Sequence, residues 1–420
     1  MYNRVIDKQW DFKSENTKEY THCYHMYPAM MMPQIARELI KNYKPNGKCE
    51  LIFDPYMGSG TTLVEASLAG INSVGTDINP LARFMSSVKT TNFDIDAILK
   101  CYQFLNKAFD EYNPDEVEDT DFTRISNYSF WYDKSTLLVL SYISQNIKQI
   151  PENLQNFFNV ALSETVRDVS FTRKNEFKRY RMSEDKINKC KLTSDDVFLI
   201  FRKKIERNCK GLVDYNQITS NFNCKARICD FNSVYHIPSD ILQDGDVDMV
   251  ITSPPYGDSH TTVAYGQFSR WANEWFNFPN AKNLDNLLMG GNKKKEISVS
   301  TESIKSELDQ IKTIDIKRYN EVMSFMDDYA LSIHNVAKTV RNGGRICYVV
   351  GNRTVKGIQI PLDYFTAEMF EKSGFKHDIT IVREIFSKRL PKKISSTGKS
   401  GETVDTMNNE YIVICTKNNI

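Results

Sequence analysis

Residues 247–252, VDMVIT, make an apolar run broken only by Asp248, and two prolines follow almost at once in DVDMVITSPPYGDSH (246–260). Proline has a fixed φ and no backbone N–H, so a buried strand ending at Thr252 cannot continue through Pro254 and Pro255. A run that is apolar at nearly every position fits a strand covered on both faces, as strands of parallel sheets are. The chain must therefore place a strand in the middle of a layered structure and stop it abruptly.

The surrounding sequence agrees with a parallel sheet. CELIFDPYMGSGTTLVEASLAG (49–70) reads as strand, glycine turn and helix, with a threonine at the helix start and Gly70 at its end. INSVGTDINPLARFMSSV (71–88) gives a second strand ending near Asp77 and another helix. The pattern resumes at CKARICDF (224–231) and VDMVIT. It continues with a helix over 319–340, a Gly-Gly turn, a strand over 345–352, a helix near 361–373 and strands near 378–385 and 410–417. YPAMMMPQIARELIKNY (27–43) has helical spacing after Pro33. The fold class expected is α/β: a doubly wound, mostly parallel sheet in two parts, 1–90 and 223–420, with a large, mainly helical insert at 91–222 in the second crossover. Ligands of such sheets bind beyond the carboxyl ends of the strands.

Composition narrows the classes. The chain has 420 residues, 41% hydrophobic and 25% charged, with net charge +1, so a polyanion would have to be met by local basic patches. No apolar run approaches the roughly 18 residues of a membrane span, and MYNRVIDKQWDF has no signal-peptide pattern. Nine cysteines without a C-x-x-C pair imply reduced thiols and a cytoplasmic setting. His22 and His25 lack further ligands and read as structural, so no metal is expected.

In FDPYMGSGTT (53–62), a strand delivers Asp54 to its end, and Gly58 and Gly60 allow a tight turn against a ligand. Asp77 follows Gly58 by 19 residues, close to the offset at which an acid meets a ribose diol. A nucleoside-containing cofactor is implied. The third glycine of G-x-G-x-x-G and the G-K-[ST] of a phosphate loop are both missing, which disfavours a dinucleotide and NTP hydrolysis. S-adenosylmethionine is one cofactor that needs neither, and an ordinary glycine turn remains open at this point. At the proline corner, Ser253 and the Pro254 carbonyl are acceptors for both hydrogens of an exocyclic amine, and Tyr256 could stack on the ring bearing it.

Together, DPYMGSG and TSPPY resemble the amino-group DNA methyltransferases, which methylate cytosine N4 or adenine N6 from S-adenosylmethionine. YMGSG has tyrosine where the family's F-x-G-x-G pattern begins with phenylalanine. SPPY is its [SDN]-P-P-[YFW] motif in the serine form more typical of cytosine-N4 enzymes. The resemblance covers about 21–90 and 222–420 and leaves out the insert. It implies a Rossmann-like methyltransferase core, S-adenosylmethionine as cofactor, double-stranded DNA as partner and, in a restriction–modification pair, a cognate restriction endonuclease. Carried over by motif, Ser253, Pro254, Pro255 and Tyr256 are the catalytic residues. Tyr27, Asp54, Met57, Gly58, Gly60, Thr61, Asp77, Ile78, Asp230 and Ser253 bind the cofactor, with Asp77 at the ribose and Asp230 at the adenine amine. The motif order is similar to that of members whose target-recognition region lies between the two motifs, here the insert. Adenine N6 methylation, an RNA guanine-N2 methyltransferase and a catalytically silent DNA-specificity protein are the alternatives. No Pro-Cys dipeptide is present, so the usual cytosine-C5 motif is excluded.

DNA contact is expected at TRKNEFKRYRM (172–182), through Arg173, Lys174, Lys178, Arg179 and Arg181, and at Arg270 beyond the proline corner. The segment 257–276 is expected to form the pocket rim, with Asp258, His260 and Arg270 on it. YHMYPAMMMPQ (24–34) resembles the family element that covers the methionine end, and the loops at Lys293–Lys295 and Lys388–Lys393 are secondary DNA candidates. Phe130 and Trp131 are expected in a buried cluster, and Met30–Met32 in packing rather than at a ligand.

Overall fold

A computed structural model describes residues 2–45, 49–117, 121–174, 176–258, 262–292, 294, 296–385, 393–394, 404–405 and 408–419. His260, Lys293, Lys295 and the side chains of the 388–393 loop lie outside the described residues. The main sheet has eight strands: β1 (Arg4–Ile6), β2 (Leu51–Asp54), β3 (Asn72–Thr76), β4 (Ala226–Cys229), β5 (Val247–Thr252), β6 (Val340–Val350), β7 (Phe375–Glu384) and β8 (Asn409–Lys417). Their order is β1-β7-β8-β6-β5-β2-β3-β4, and β8 runs against both neighbours while the other pairs are parallel. The helices that matter below are α1 (Pro33–Tyr43), α2 (Thr61–Leu68), α3 (Pro80–Lys89), α4 (Ile95–Asp110), α5 (Lys134–Ile147), α6 (Glu152–Asp168), α7 (Ser194–Thr219), α8 (Tyr265–Trp275), α9 (Ile316–Thr339) and α10 (Leu362–Lys372).

Alternation along the strands explains the layers. In β6, Ile346, Tyr348 and Val350 face a core formed with α9 and α10, whereas Cys347 and Val349 face one formed with α1 and Trp10. Every residue of β5 is buried. The sheet is thus doubly wound, as the apolar run demanded. β1 was not foreseen: its three residues are all exposed and pair with Thr380–Val382 at the sheet edge, so no periodicity announced it.

The Gly-Gly expected as a turn is instead a bulge inside β6. Pairing passes from Val247↔Val340 to Met249↔Arg345, leaving residues 341–344 out of register. A side chain at Gly344 would fall 3.0 Å from the Asp248 carbonyl and 2.8 Å from that of Arg341. The bulge brings Arg341 to Asp248, whose carboxylate also accepts the Glu50 and Leu51 amides at 2.7 and 3.0 Å. The one charge in the apolar run therefore fastens β2 to β5 and β6.

The insert runs from α4 to α7 and shares its core with the sheet domain. One cluster extends from Leu81 and Met85 of α3 through Leu140, Phe157 and Phe201 to Phe268 and Trp271 of α8. Phe130 is a correction: it is exposed, and the Arg181 guanidinium lies 4.5 Å from its ring. Trp131 is half-buried against Trp271, with ring centres 5.0 Å apart.

Replacing Asp248 with alanine removes a buried carboxylate and leaves two backbone amides at the start of β2 without their acceptor, an expected loss of about 2 kcal/mol by urea unfolding at neutral pH. Burial opposes the ionised form, but Arg341 and the two amides outweigh it and hold the carboxyl below its ordinary value. The stabilisation is therefore present above the usual carboxylate range, and the difference between parent and variant narrows as pH falls below it.

Candidate active site

The glycine bend and the proline corner, about two hundred residues apart, open onto one cleft. Its empty volume, counted out into the open mouth, is about 870 Å³. It lies at the carboxyl ends of β2, β3, β4 and β5, lined there by Asp54, Asp77, Phe231 and Ser253 respectively. A buried hydrogen bond joins two of those ends: Thr252 Oγ1 donates to Asp54 Oδ1 at 2.5 Å. The Thr62 hydroxyl donates to the Ile251 carbonyl at 3.1 Å and ties α2 to β5.

The two glycines have different tasks. Gly58 lines the cleft at φ +48°, and its amide donates to Asp77 Oδ2 at 3.0 Å. Gly60, at φ +80°, does not line the cleft. A Cβ there would sit 2.7 Å from Ser86 Oγ and 3.1 Å from Ser86 Cα, so glycine lets α2 approach α3. Asp77 also accepts the Asn79 amide at 2.8 Å. A carboxylate has about four lone-pair directions, so two remain for a diol. Burial is the main cause that raises both Asp54 and Asp77 to about 6, against hydrogen bonds from Thr252 and the Tyr56 amide at Asp54, and from the Asn79 and Gly58 amides at Asp77.

Tyr27, Met57, Thr61 and Ile78 line the cleft as well. The Tyr27 hydroxyl accepts from Asn79 Nδ2 at 2.9 Å, and Asn79 also donates to Ser269 of α8 at 2.7 Å, so one asparagine sets the distance between two walls. Asp230 is placed otherwise. Its side chain is 62% exposed and pairs with Arg83 at 2.8 Å, while Phe231, Asn232, Ser233 and Val234 face the cavity instead. Arg83 in turn donates to the Asp77 and Ile78 carbonyls at 2.6 and 3.0 Å.

Met30 and Met31 of the 24–34 segment line the cleft instead of serving only as packing, and Tyr265 lines it from the expected rim segment; sequence reasoning missed Leu288 and Met289. Ala29, beside Met30, has φ +50°, an uncommon backbone for a residue with a side chain, which no sequence pattern announces. The wall is tethered to the insert: the Met26 amide donates to Glu164 Oε1 at 3.1 Å, and Glu164 Oε2 receives Lys204 and Arg207 at 2.9 Å each.

At the proline corner, Ser253 and Pro255 line the cleft, Pro254 is buried, and Tyr256 stands half-buried behind the serine. The Tyr256 oxygen is 3.1 Å from Ser253 Oγ and 3.1 Å from Glu410 Oε1.

The basic stretch forms a short hairpin, with Thr172 opposite Arg181 and the Arg173 amide donating to the Tyr180 carbonyl at 2.7 Å. Arg173 and Lys174 are exposed and Lys178 half-exposed, beside exposed Phe177 and Tyr180. Arg179 instead lies 4.8 Å from the centre of the Trp271 ring, Arg181 donates to the Phe130 carbonyl at 2.8 Å and pairs with Glu184, and Arg270 donates to Glu274 at 2.5 Å. Asp258 is buried and 3.3 Å from Arg353. The hairpin adjoins α8, where Gln267 accepts the Arg179 amide at 3.3 Å.

Comparison with known proteins adds an independent line. The N6_N4_Mtase family profile, described as DNA methylase, matches residues 2–83. The Type II methyltransferase M.MvaI of Kocuria varians is 38% identical over 96% of this chain and 92% of its own. M.BsoBI of Geobacillus stearothermophilus, also a Type II methyltransferase, is 22% identical over 86% of this chain and 80% of its own. Among solved structures, the rRNA methyltransferase aviRa of Streptomyces viridochromogenes is 9% identical and covers 94% of this chain and 88% of that one, at a TM-score of 0.32.

The cleft fits S-adenosylmethionine in its chemistry: a buried carboxylate with two open acceptor positions for the ribose, a second carboxylate near a strand end, apolar side chains for a flat base and, among the described residues, no phosphate cradle. A cationic ligand favours the ionised carboxylates, so affinity should be full above pH 6 and fall as pH drops through it. We expect roughly a tenfold weaker Kd at about pH 5 than at about pH 7.5 for each such group, read by isothermal titration.

Proposed function

We propose, on the premise that the chain belongs to the amino-group DNA methyltransferases that use S-adenosylmethionine, that its acceptor is the exocyclic N4 amine of a cytosine turned out of a DNA duplex. The observation that carries this reading is Ser253, a neutral acceptor, on the wall of the cleft that also holds Asp54, Gly58 and Asp77. A base inside a duplex cannot reach the ends of a buried sheet, so the target nucleotide must be flipped, at a cost of a few kcal/mol.

Ser253 Oγ and the Pro254 carbonyl take the two amine hydrogens. This draws the nitrogen from planar toward tetrahedral geometry and frees its lone pair. The bound cofactor supplies an electrophilic methyl group on sulfonium. Asp54, Gly58 and Asp77 hold the cofactor at one end of the cleft, and the proline corner holds the amine at the other. The proton in excess after transfer leaves the nitrogen for solvent. Positioning and polarisation supply the rate, without a covalent nucleophile. Stacking of the flipped base on the Tyr256 ring, worth about 1–3 kcal/mol, requires the ring to come forward from its place behind Ser253.

The 172–182 hairpin is the element we assign to the duplex. Arg173, Lys174 and Lys178 project from a turn fixed to α8, whose first residue, Tyr265, reaches the cleft. Arg179, Arg181 and Arg270, packed on rings and carboxylates, hold that surface in shape. The cytosine reading, the assignment of the insert to target recognition and a cognate endonuclease rest on the resemblance and on the similarity to relatives named as Type II methyltransferases, and a cytoplasmic setting rests on the nine cysteines without a C-x-x-C pair.

Digestion of methylated DNA to nucleosides followed by mass spectrometry should give N4-methylcytosine; N6-methyladenine would overturn the substrate. Ser253→Ala should lower kcat by about a hundredfold or more while the cofactor Kd holds. Concurrent loss of cofactor binding would move Ser253 out of its amine-gripping role. Substituting alanine at Arg173, Lys174 and Lys178 should weaken DNA binding and flatten the plot of log affinity against log salt, measured by fluorescence anisotropy. The slope should fall by about 0.9 for each phosphate that is no longer neutralised.

A further inference from the structure

Behind Ser253 runs a chain of contacts that ends in a buried ion pair. Arg383 of β7 is 2% exposed. Its Nε donates to the Trp10 carbonyl at 2.7 Å and its Nη2 to the Asp11 carbonyl at 3.3 Å. Directly across the sheet stands Glu410 of β8, and Arg383 Nη1 donates to its Oε2. The other carboxylate oxygen, Oε1, faces the Tyr256 hydroxyl, and that hydroxyl faces Ser253 Oγ. Because β8 runs opposite to its neighbours, its first residues arrive at the edge where the parallel strands end.

Hydrogen-bond chemistry gives this chain a direction. Guanidinium is a donor only, and an ionised carboxylate an acceptor only. The phenol between Glu410 and Ser253 must therefore spend its single proton on Glu410. Burial and the adjacent carboxylate hold that phenol far above its ordinary pKa, so the proton stays on oxygen. The phenol oxygen can then only accept from Ser253, and the serine hydroxyl hydrogen points back toward the tyrosine. Both serine lone pairs are left toward the cleft, where an amine N–H needs an acceptor. With no carboxylate at 410, the phenol is released to donate to Ser253, and the serine hydrogen can turn into the cleft against the N–H it should receive.

We propose that Glu410, held by Arg383, is a positioning residue that fixes the direction of hydrogen bonding at Ser253 through the Tyr256 hydroxyl. This rests on the reading of Ser253 as acceptor of the target amine and adds the residue that keeps it an acceptor. Neither Glu410 nor Arg383 lies in a motif, and neither lines the cleft.

The test is a double-mutant cycle on the full chain, with E410Q, Y256F and the pair, reading kcat, KM for cofactor and DNA, and Tm. Glutamine keeps the shape of glutamate but can donate, and phenylalanine keeps the ring. Each single variant should lower kcat about tenfold, the worth of one well-placed hydrogen bond, with both KM values within about twofold. The double variant should be no slower than either single one, because both cut the same chain. Additive losses approaching about a hundredfold in the double variant would overturn the proposal, as would a lowered Tm with unchanged kcat in E410Q. Ser253→Ala separates the two levels. If it retains turnover, the amine reading itself fails; if it is inactive while E410Q and Y256F are not, only the chain through Glu410 fails.

Discussion

One hydrogen bond, from the Thr252 hydroxyl to the Asp54 carboxylate, sets the relation on which the cleft depends. Thr252 is the last residue before the proline corner and Asp54 the last before the glycine bend, so the bond holds two strand ends in a common frame. It also helps keep a carboxylate in a buried place, where burial alone would drive it toward the protonated form. The sheet supplies the coarse alignment through the Ile52↔Met249 and Phe53↔Val250 pairing, and the side-chain bond locks the last residue of each strand. Asn79 does similar work at the rim by holding Tyr27 and α8 together.

The charge layout separates two surfaces of opposite sign. Carboxylates lie on the inner wall, where a sulfonium with its amino group would find partners, while the outward cations sit on a hairpin beyond α8. A net charge of +1 conceals this division. Arginines that look alike in the sequence divide as well. Arg179 and Arg181 spend their guanidinium faces on Trp271 and Phe130, which rigidifies the hairpin from which Arg173, Lys174 and Lys178 project.

Much of the sheet was legible because its signals are local: an apolar run ended by prolines, glycines after a strand, and an acid at a ribose-like offset. Those signals placed Asp54, Gly58, Asp77 and Ser253 at strand ends, and the strand ends meet. What escaped depends on pairing at long range. Three exposed residues of β1 have no pattern and become a strand only because β7 has a free edge. Asp230 has the position of a ligand-binding acid, yet Arg83, 147 residues earlier in the chain, draws it outward. Met30 and Met31 look like any apolar pair until the positive φ of Ala29 turns the segment over the cleft. The Gly-Gly pair read as a turn because no sequence rule announces a bulge built to bring Arg341 to Asp248.

The continuous core beneath the insert bears on whether the insert can be exchanged. A region that folds on its own can be exchanged at its linkers. Here Leu81, Met85, Phe268 and Trp271 of the sheet domain are packed among residues of the insert, and Glu164 of the insert carries the cofactor wall at Met26. A chimera spliced near residues 90 and 222 would set foreign side chains against those surfaces and unmoor that wall. Exchange of the insert therefore requires transplanting the matching faces of α3 and α8 and the 20–31 segment with it.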